Sequence, residues 1–365
     1  MRNHLGVVLG AVVVGVTAGL GACAPPEPEG SAAGAREEDA GGVAAPAGEM
    51  QFEFTEVVPG VYHARGVGDL VVGSNSAVVV NDADVLLVDS HITPAAADRL
   101  LEELRTITDR PVRYVANTHW HFDHAHGNQV YPPEVEIIGH EATRAVMAAG
   151  GSNSGRSYES FVGTLPGRIA AMEAALDTMT DAAARAELER TLENQRVYYA
   201  QTQEVVPVPP NTTLSERLTL HKGGREIRFL FFGRGHTEGD VVVHLPDDGV
   251  LITGDLITAG VPYMGDGFVD EWIDTLEHLK SLDFEWIIPG HGMPYLERER
   301  IDWLQAYFRD FLAQARDLHA AGVSAEDAAA RIDMTAHAEH YPGINGPGVA
   351  VNGVIRLFEL LDDSR

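Results

Sequence analysis

Four short apolar segments constrain the fold more than any other feature, because each ends in a turn that carries histidine or aspartate. Their length, branched side chains and bounding glycines predict buried strands. Side chains fixed at the ends of neighbouring strands are held rigidly, and glycine lets the backbone turn close to them. The pattern therefore predicts one polar site at the edge of a sheet. The strands and the residues that follow them are Val112–Ala116 with His119, Ile227–Phe232 with His236, Val250–Thr253 with Asp255, and Trp286–Ile288 with His291.

The densest of these turns is Thr118-His119-Trp120-His121-Phe122-Asp123-His124. Three histidines and an aspartate within six residues are far more than 16 histidines scattered over 365 residues would give. On a loop at a strand end, two of the histidines can converge on one metal ion while Asp123 and His124 reach a second. The competing interpretation is a histidine-rich surface turn.

Further segments complete an α/β pattern in which strands and helices alternate in both halves of the chain. Four more apolar runs predict strands, and three longer segments have helical spacing. They are, for strands, Val71–Asn75, Ala77–Val80, Val85–Val88 and Val241–Leu245, and for helices, Ala95–Ile107, Val269–Leu282 and Arg298–Ala321.

The N-terminal part of the sequence indicates export. Residues 1–23 have a short basic start and an apolar stretch, and they end in Leu20-Gly21-Ala22-Cys23, which resembles the lipobox of bacterial lipoproteins. An ordinary cleaved signal peptide is the alternative. Residues 24–49 are rich in Ala, Pro, Gly and Glu, which predicts a disordered linker. We expect a periplasmic or outer-membrane lipoprotein that meets the membrane only through this lipid anchor.

Two segments lie outside the alternating pattern. Residues 141–200 contain strong helix formers and predict a helical insertion, with a break near Thr178 to Asp181 where Thr180-Asp181 can cap the second helix. Residues 298–365 predict a C-terminal helical extension. The insertion leaves the core after His124 and returns before His236, so we expect it to form a wall or lid over the site. The alternative is that its helices only cover sheet surface or form a dimer contact.

Charge and cysteine content exclude several classes of protein. The 54 acidic and 26 basic residues give a net charge of −28, which repels a nucleic-acid backbone, so we expect a small-molecule substrate and no nucleic acid. Cys23 is the single cysteine, so an internal disulfide framework and a thiolate metal ligand in the remaining chain are excluded.

The ordered motifs HxHxDH, GHT, GD and PGHG resemble those of the metallo-β-lactamase superfamily, across roughly residues 52–297 of a domain that we place at 50–297. The resemblance implies a four-layer αββα sandwich with the site at its edge. It also implies a ligand set that divides between two metal ions. By matching positions, the first metal takes His119, His121 and His236, the second takes Asp123, His124 and His291, Asp255 bridges both, and Asp89 of Val88-Asp89-Ser90 supports the ligands.

The bridging aspartate narrows the class, since metallo-β-lactamases proper generally place cysteine or serine there. Asp255 resembles instead the site of glyoxalase II-like and lactonase-like hydrolases. The resemblance implies a hydroxide between two Zn²⁺ ions, oriented by Asp123, that cleaves a small ester, lactone, thioester or amide. Imidazole and carboxylate ligands also accept iron or manganese. A β-lactamase and a mononuclear iron enzyme of the persulfide dioxygenase type remain alternatives.

Weaker candidates concern the substrate. Tyr263 and Met264 follow Asp255 closely and are expected to line the cleft. Arg156 and Tyr158 lie near the start of the insertion, where a guanidinium and aromatic rings suit a substrate that bears a carboxylate or a ring.

Overall fold

The computed structural model describes residues 49–363 of the chain. The predicted signal segment, its lipobox at Cys23 and all but the last residue of the predicted linker lie outside the described residues. Among the described residues, no helix is both long and apolar enough to cross a lipid bilayer.

The first sheet has seven strands in the spatial order of their sequence, β1 to β7. Neighbours from β1 to β4 pair antiparallel, and neighbours from β4 to β7 pair parallel. The strands are β1 Phe52–Val58, β2 Val61–Gly66, β3 Ser76–Val80, β4 Val85–Val88, β5 Val112–Ala116, β6 Glu136–His140 and β7 Thr212–Leu214.

The second sheet has five strands in the order β12-β11-β10-β9-β8. The pair β11–β12 is parallel and the other pairs are antiparallel. The strands are β8 Arg217–Lys222, β9 Arg225–Leu230, β10 Val242–Leu245, β11 Val250–Gly254 and β12 Trp286–Pro289.

Helices connect the strands and follow the last one. The α-helices are α1 Pro94–Leu104, α2 Phe122–Ala125, α3 Glu141–Ala148, α4 Arg156–Phe161, α5 Leu165–Thr178, α6 Ala182–Thr202, α7 Val269–Leu279, α8 Arg300–Ala320, α9 Ala325–Arg331 and α10 Val351–Asp363. Short 3-10 helices cover His126–Val130, Gly151–Asn153 and Thr335–His337.

Three apolar cores establish the layer order. One core joins inward-facing residues of the two sheets, such as Val79 and Leu86 with Phe229 and Val243. A second lies between the first sheet and α1, and a third joins the second sheet to helices α7–α10. Each sheet therefore buries one face against the other sheet and its second face against helices. This is the four-layer αββα sandwich, so the predicted fold class is confirmed.

The strand predicted at Val71–Asn75 is wrong. The segment is a loop, because Gly73 adopts a left-handed backbone conformation with φ +77°. The Asn75 backbone N–H donates to the Gly290 carbonyl at 2.7 Å, and its side-chain amide donates to the Gly292 carbonyl at 2.7 Å. The loop therefore forms hydrogen bonds to the turn that carries His291 and does not pair with a neighbouring strand.

The predicted break between two helices in residues 141–200 is confirmed. Helix α5 ends at Thr178, and α6 begins at Ala182, where the Asp181 carboxylate accepts a hydrogen bond of 2.8 Å from the Ala184 N–H. Most of this α5–α6 hairpin is exposed. Its base is fixed by Leu165 and Tyr198, which pack in one cluster with Ile92 and Phe122 beside the predicted site.

Candidate metal centre

The predicted site residues meet at one edge of the sandwich. Asp89 follows β4, the HxHxDH turn follows β5, Asp255 follows β11 and His291 follows β12, so the carboxyl ends of parallel strands supply most of the site. Their ligand-type atoms form three overlapping groups, each within 4.8 Å. The groups are His119 with His121 and His236, His119 with His124 and Asp255, and Asp123 with His124 and His291.

Asp89 orients two of the imidazoles. Its carboxylate accepts hydrogen bonds from the Thr118 N–H at 2.8 Å and the Thr118 hydroxyl at 2.9 Å, and it lies 2.8 Å from His124 Nδ1. Because the Thr118 hydroxyl donates to Asp89, it can accept from His119 Nδ1 at 3.0 Å. Both histidines then carry their proton on Nδ1 and present the lone pair of Nε2 to the site.

A second carboxylate orients His121 in the opposite sense. Asp266 Oδ2 lies 3.1 Å from His121 Nε2 and also accepts from the Ser157 N–H at 3.1 Å. His121 therefore presents Nδ1 to the site, where it lies 2.9 Å from His236 Nε2. Two imidazole nitrogens that face each other at this distance suit a shared cation.

The carboxylate of Asp255 touches both halves of the site. Its Oδ2 lies 3.5 Å from His236 Nε2 and 3.3 Å from His291 Nε2, and its Oδ1 lies 3.5 Å from His124 Nε2. Asp123 Oδ2 lies 3.2 Å from His291 Nε2 and 3.6 Å from His124 Nε2. Asp255 thus lies between the two sets of histidines.

The electrostatics of the site favour a bound cation. Burial lowers the pKa of His119 and lowers that of His236 to about 3, which leaves neutral imidazoles. Burial also opposes charge on His291, yet Asp255 and Asp123 raise its pKa to about 10. The pKa of Asp123 is lowered against the effect of burial by His124 and His291. The two carboxylates therefore stabilise positive charge at this position, and a bound metal ion would supply that charge.

The residues present fit divalent metal ions. Several buried ligand-type atoms have no hydrogen-bond partner: His119 Nε2, His124 Nε2 and Asp255 Oδ1. Buried polar atoms are normally paired, so these three are free to bind a ligand. The chain also leaves room here, since a Cβ on Gly290 would lie 2.2 Å from Asp255 Oδ1. Nitrogen and oxygen donors of this kind suit zinc and also accept iron or manganese.

A cavity of about 570 Å³ opens onto these groups. That volume suits a small molecule. Its wall is largely apolar and draws on the loops of both sheets and on the α5–α6 hairpin. The lining residues include Val71, Ile92, His121, Phe122, Asp123, Ser157, Phe161, Arg168, Gln195, Tyr198, His236, Asp255, Thr258, Val261, Pro262, Tyr263 and His291.

Among the substrate residues predicted from sequence, the structure places Tyr263 in this wall, with its ring centroid 6.0 Å from that of His121. Met264 is instead buried in the outer core against α10. Arg156 donates to the Gly265 carbonyl and pairs with Glu359 at 2.7 Å. Tyr158 packs edge-on against Phe122 rather than in the wall. The last three are therefore corrected, because core packing and an ion pair already engage them.

Sequence reasoning missed Asp266, Arg168 and Gln195. Asp266 stands between two glycines soon after Tyr263, which was the one local signal of a special turn. Arg168 and Gln195 lie in a helical run with many charged residues. Nothing in that pattern separates them from solvent-facing neighbours.

The sequence was compared with known families and proteins. Residues 69–291 match the model of the metallo-beta-lactamase superfamily. A linear primary-alkylsulfatase from Pseudomonas sp. (strain ATCC 19151) is 25% identical over 64% of this chain and 44% of its own. The 2,4-dinitroanisole O-demethylase subunit alpha from Nocardioides sp. (strain JS1661) is 23% identical over 60% of this chain and 53% of its own. The chain thus spans about half the length of these relatives.

Solved structures share the architecture. A metallo-beta-lactamase from Pontibacter korlensis superposes with a TM-score of 0.51 and 18% identity, over 71% of this chain and 99% of its own. At this identity the likeness concerns the fold alone.

Proposed function

Because this chain belongs to the metallo-beta-lactamase superfamily, we propose that it is a two-zinc hydrolase of a small ester, lactone, thioester or amide. The observation that carries the proposal is the position of Asp255. One carboxylate lies within 3.5 Å of His236, His291 and His124, which belong to both predicted halves of the site. An aspartate in that position, where metallo-β-lactamases generally have cysteine or serine, favours a hydrolase similar to glyoxalase II or to a lactonase.

Two divalent ions, when bound, supply a hydroxide at neutral pH and polarise the scissile carbonyl. The role of the protein is to hold the metal ions and to orient their ligands and the attacking group. Asp89 and Asp266 fix the tautomers of His119, His124 and His121, so that each imidazole presents a lone pair. Asp123 lies in the cavity wall beside His291, where its carboxylate would orient the attacking group.

The cavity supplies substrate binding and excludes water. Its apolar wall, formed by residues such as Val71, Ile92, Phe122 and Val261, suits an acyl chain or a ring. Tyr263 stands in the wall with its ring centroid 6.0 Å from that of His121 and adds an aromatic surface. In this arrangement the scissile bond would lie at the metal-binding residues, and the loops of the cavity wall would determine which substrate binds.

Metal analysis of the purified protein combined with a substrate panel tests this proposal. We expect about two zinc ions per chain, and turnover of ester or lactone that is lost with chelator and restored by zinc. One iron per chain with oxygen consumption would support the persulfide dioxygenase alternative instead. The panel includes a β-lactam, and an alkyl sulfate because one relative is named as an alkylsulfatase. Turnover of either of those alone would replace the proposed substrate class.

Asp255→Ala serves as the site variant and Asp248→Ala as its matched control. Asp248 is a similarly shielded aspartate, paired with Arg225 at 2.8 Å and absent from the cavity wall. We expect Asp255→Ala to lose metal and turnover together, and Asp248→Ala to keep both. Equal metal content in the two variants would contradict the bridging assignment.

We also propose that the protein is exported and anchored to a membrane through an acylated Cys23. The support is the Leu20-Gly21-Ala22-Cys23 sequence and the Pro-, Gly- and Ala-rich residues that follow it.

A further inference from the structure

The wall of the cavity over the metal centre contains a single lysine or arginine among the described residues. This residue is Arg168, at the start of α5. Its guanidinium donates one hydrogen bond, of 3.2 Å, to the Phe161 carbonyl. No carboxylate in the described part of the chain forms an ion pair with it. Since a guanidinium has five N–H donors, most of them remain available for a ligand.

Neighbouring arginines behave differently. Arg156 is engaged by Glu359, and on the same hairpin Arg196 pairs with Glu173 at 2.7 Å and Arg185 with Glu189 at 2.9 Å. The chain carries a net charge of −28, so carboxylates that could pair with Arg168 are abundant. Among the arginines of the α5–α6 hairpin, Arg168 is the one without an ion pair to a described carboxylate, and it is the one in the cavity wall.

A second observation on the same hairpin also points to a ligand. Gln195 of α6 lines the cavity, and its side-chain Oε1 is buried without a hydrogen-bond partner. A buried amide oxygen without a donor is costly, so a ligand that brings an N–H or O–H group would satisfy it. Tyr198, also on α6, lines the cavity as well. A cation, an unpaired acceptor and a phenol thus stand together on the hairpin side of the cavity.

We propose that the substrate of this hydrolase carries a carboxylate apart from the scissile bond, and that Arg168 binds that carboxylate. The assignment rests on the proposed hydrolase function, and it adds the substrate class to it. The imidazoles and Asp255 face the scissile group at one part of the cavity. Arg168 and Gln195 receive a carboxylate with a neighbouring hydrogen-bond donor at another part, and the apolar wall holds the carbon chain.

Two chromogenic esters of equal chain length provide the test: the mono-4-nitrophenyl ester of adipic acid, which ends in a carboxylate, and 4-nitrophenyl hexanoate, which ends in a methyl group. In both, water adds to the carbonyl carbon, the bond to the phenolic oxygen breaks, and 4-nitrophenol leaves with one proton. We expect Arg168→Gln to lower kcat/KM for the adipate ester by about tenfold, mainly through KM. The hexanoate ester should change by less than about twofold, and Arg168→Lys should retain part of the preference.

Arg196→Gln is the matched control, because it removes one positive charge from the same hairpin outside the cavity wall. It should leave both esters unchanged. An equal loss on the two esters in Arg168→Gln would assign Arg168 a structural role, and no loss on either would remove it from substrate binding. Each of these results overturns the proposal while the hydrolase function stands.

Binding of free adipate, measured by calorimetry, covers the case in which neither ester is cleaved. If neither ester is cleaved, ester hydrolysis is refuted as the activity. Adipate binding then tests separately whether Arg168 binds a carboxylate. We expect wild-type protein to bind adipate more tightly than Arg168→Gln does by about tenfold. Equal adipate binding by the two proteins would overturn the assignment of Arg168.

Discussion

Replacing Asp266 tests how strongly a single supporting carboxylate controls the metal centre. The Asp266 side chain is 13% exposed and that of His121 is 4% exposed, and they lie 3.1 Å apart. A hydrogen bond between a charged group and a partner in such a setting contributes about 1.5–3 kcal/mol. That energy corresponds to roughly 10–100-fold in metal affinity, the range found when supporting partners of metal-bound histidine are removed.

We therefore expect Asp266→Ala to weaken binding of one zinc ion by roughly 10–100-fold, because His121 is then free to rotate or to protonate Nδ1. Asp266→Asn keeps the shape of the side chain and should cost less, since its carbonyl oxygen can still accept from His121 Nε2. Competition with a chromophoric chelator measures the affinity, and far-UV circular dichroism reports whether the fold is kept.

Asp270→Asn is the control for loss of one carboxylate in this region. Asp270 lies in the first turn of α7, four positions further along the chain, and its half-exposed side chain pairs with Arg316 at 3.7 Å. It should leave zinc affinity unchanged. If Asp266→Ala bound both zinc ions as tightly as Asp270→Asn does, the reasoning that His121 depends on Asp266 for its tautomer would be refuted.

Three further predictions follow from the site, the core and the N-terminal segment. Asp123→Asn should keep much of the metal bound but lose most turnover, and near wild-type ester hydrolysis would contradict the role of Asp123 as orienting group. Phe308→Ala removes a buried ring that lies 4.7 Å from the Trp272 ring, so chemical denaturation should show a loss of about 3–5 kcal/mol in the free energy of unfolding. Cys23→Ser should release the protein from the membrane fraction or block its processing, and unchanged fractionation would favour an ordinary signal peptide.

The strands, the cap of α6 and the ligand-type residues could be predicted from the sequence, because each depends on interactions within a short segment. Apolar runs such as Val85–Val88 and Val112–Ala116 form the predicted strands, because branched side chains fit a buried sheet. The aspartate that caps α6 was also predicted, because Asp181 accepts a hydrogen bond from a backbone N–H only three residues away. The ligand-type residues were visible because each follows its strand directly.

The interpretation failed where a distant contact overrides a local pattern. Val71–Asn75 has an apolar start, yet it forms a loop because Asn75 bonds to carbonyl groups more than 200 positions away. In the helical insertion, too, the sequence did not show which charged residues are paired and which line the cavity. Arg156 and Arg168 look alike in sequence, but Glu359 engages the first, and the second is left in the cavity wall.

Sequence by itself determined the strands and the types of residue that follow them, because strand periodicity is a property of short segments, and the order of the motifs implied the sandwich through a family resemblance. Tertiary structure alone decided which imidazole nitrogen faces the site and which cation faces the cavity. Asp266 meets His121 across 145 positions of the chain, and Asp89 meets His124 across 35. Such contacts depend on how whole layers pack against one another, and no local propensity encodes the distance between two side chains that only the folded core brings together.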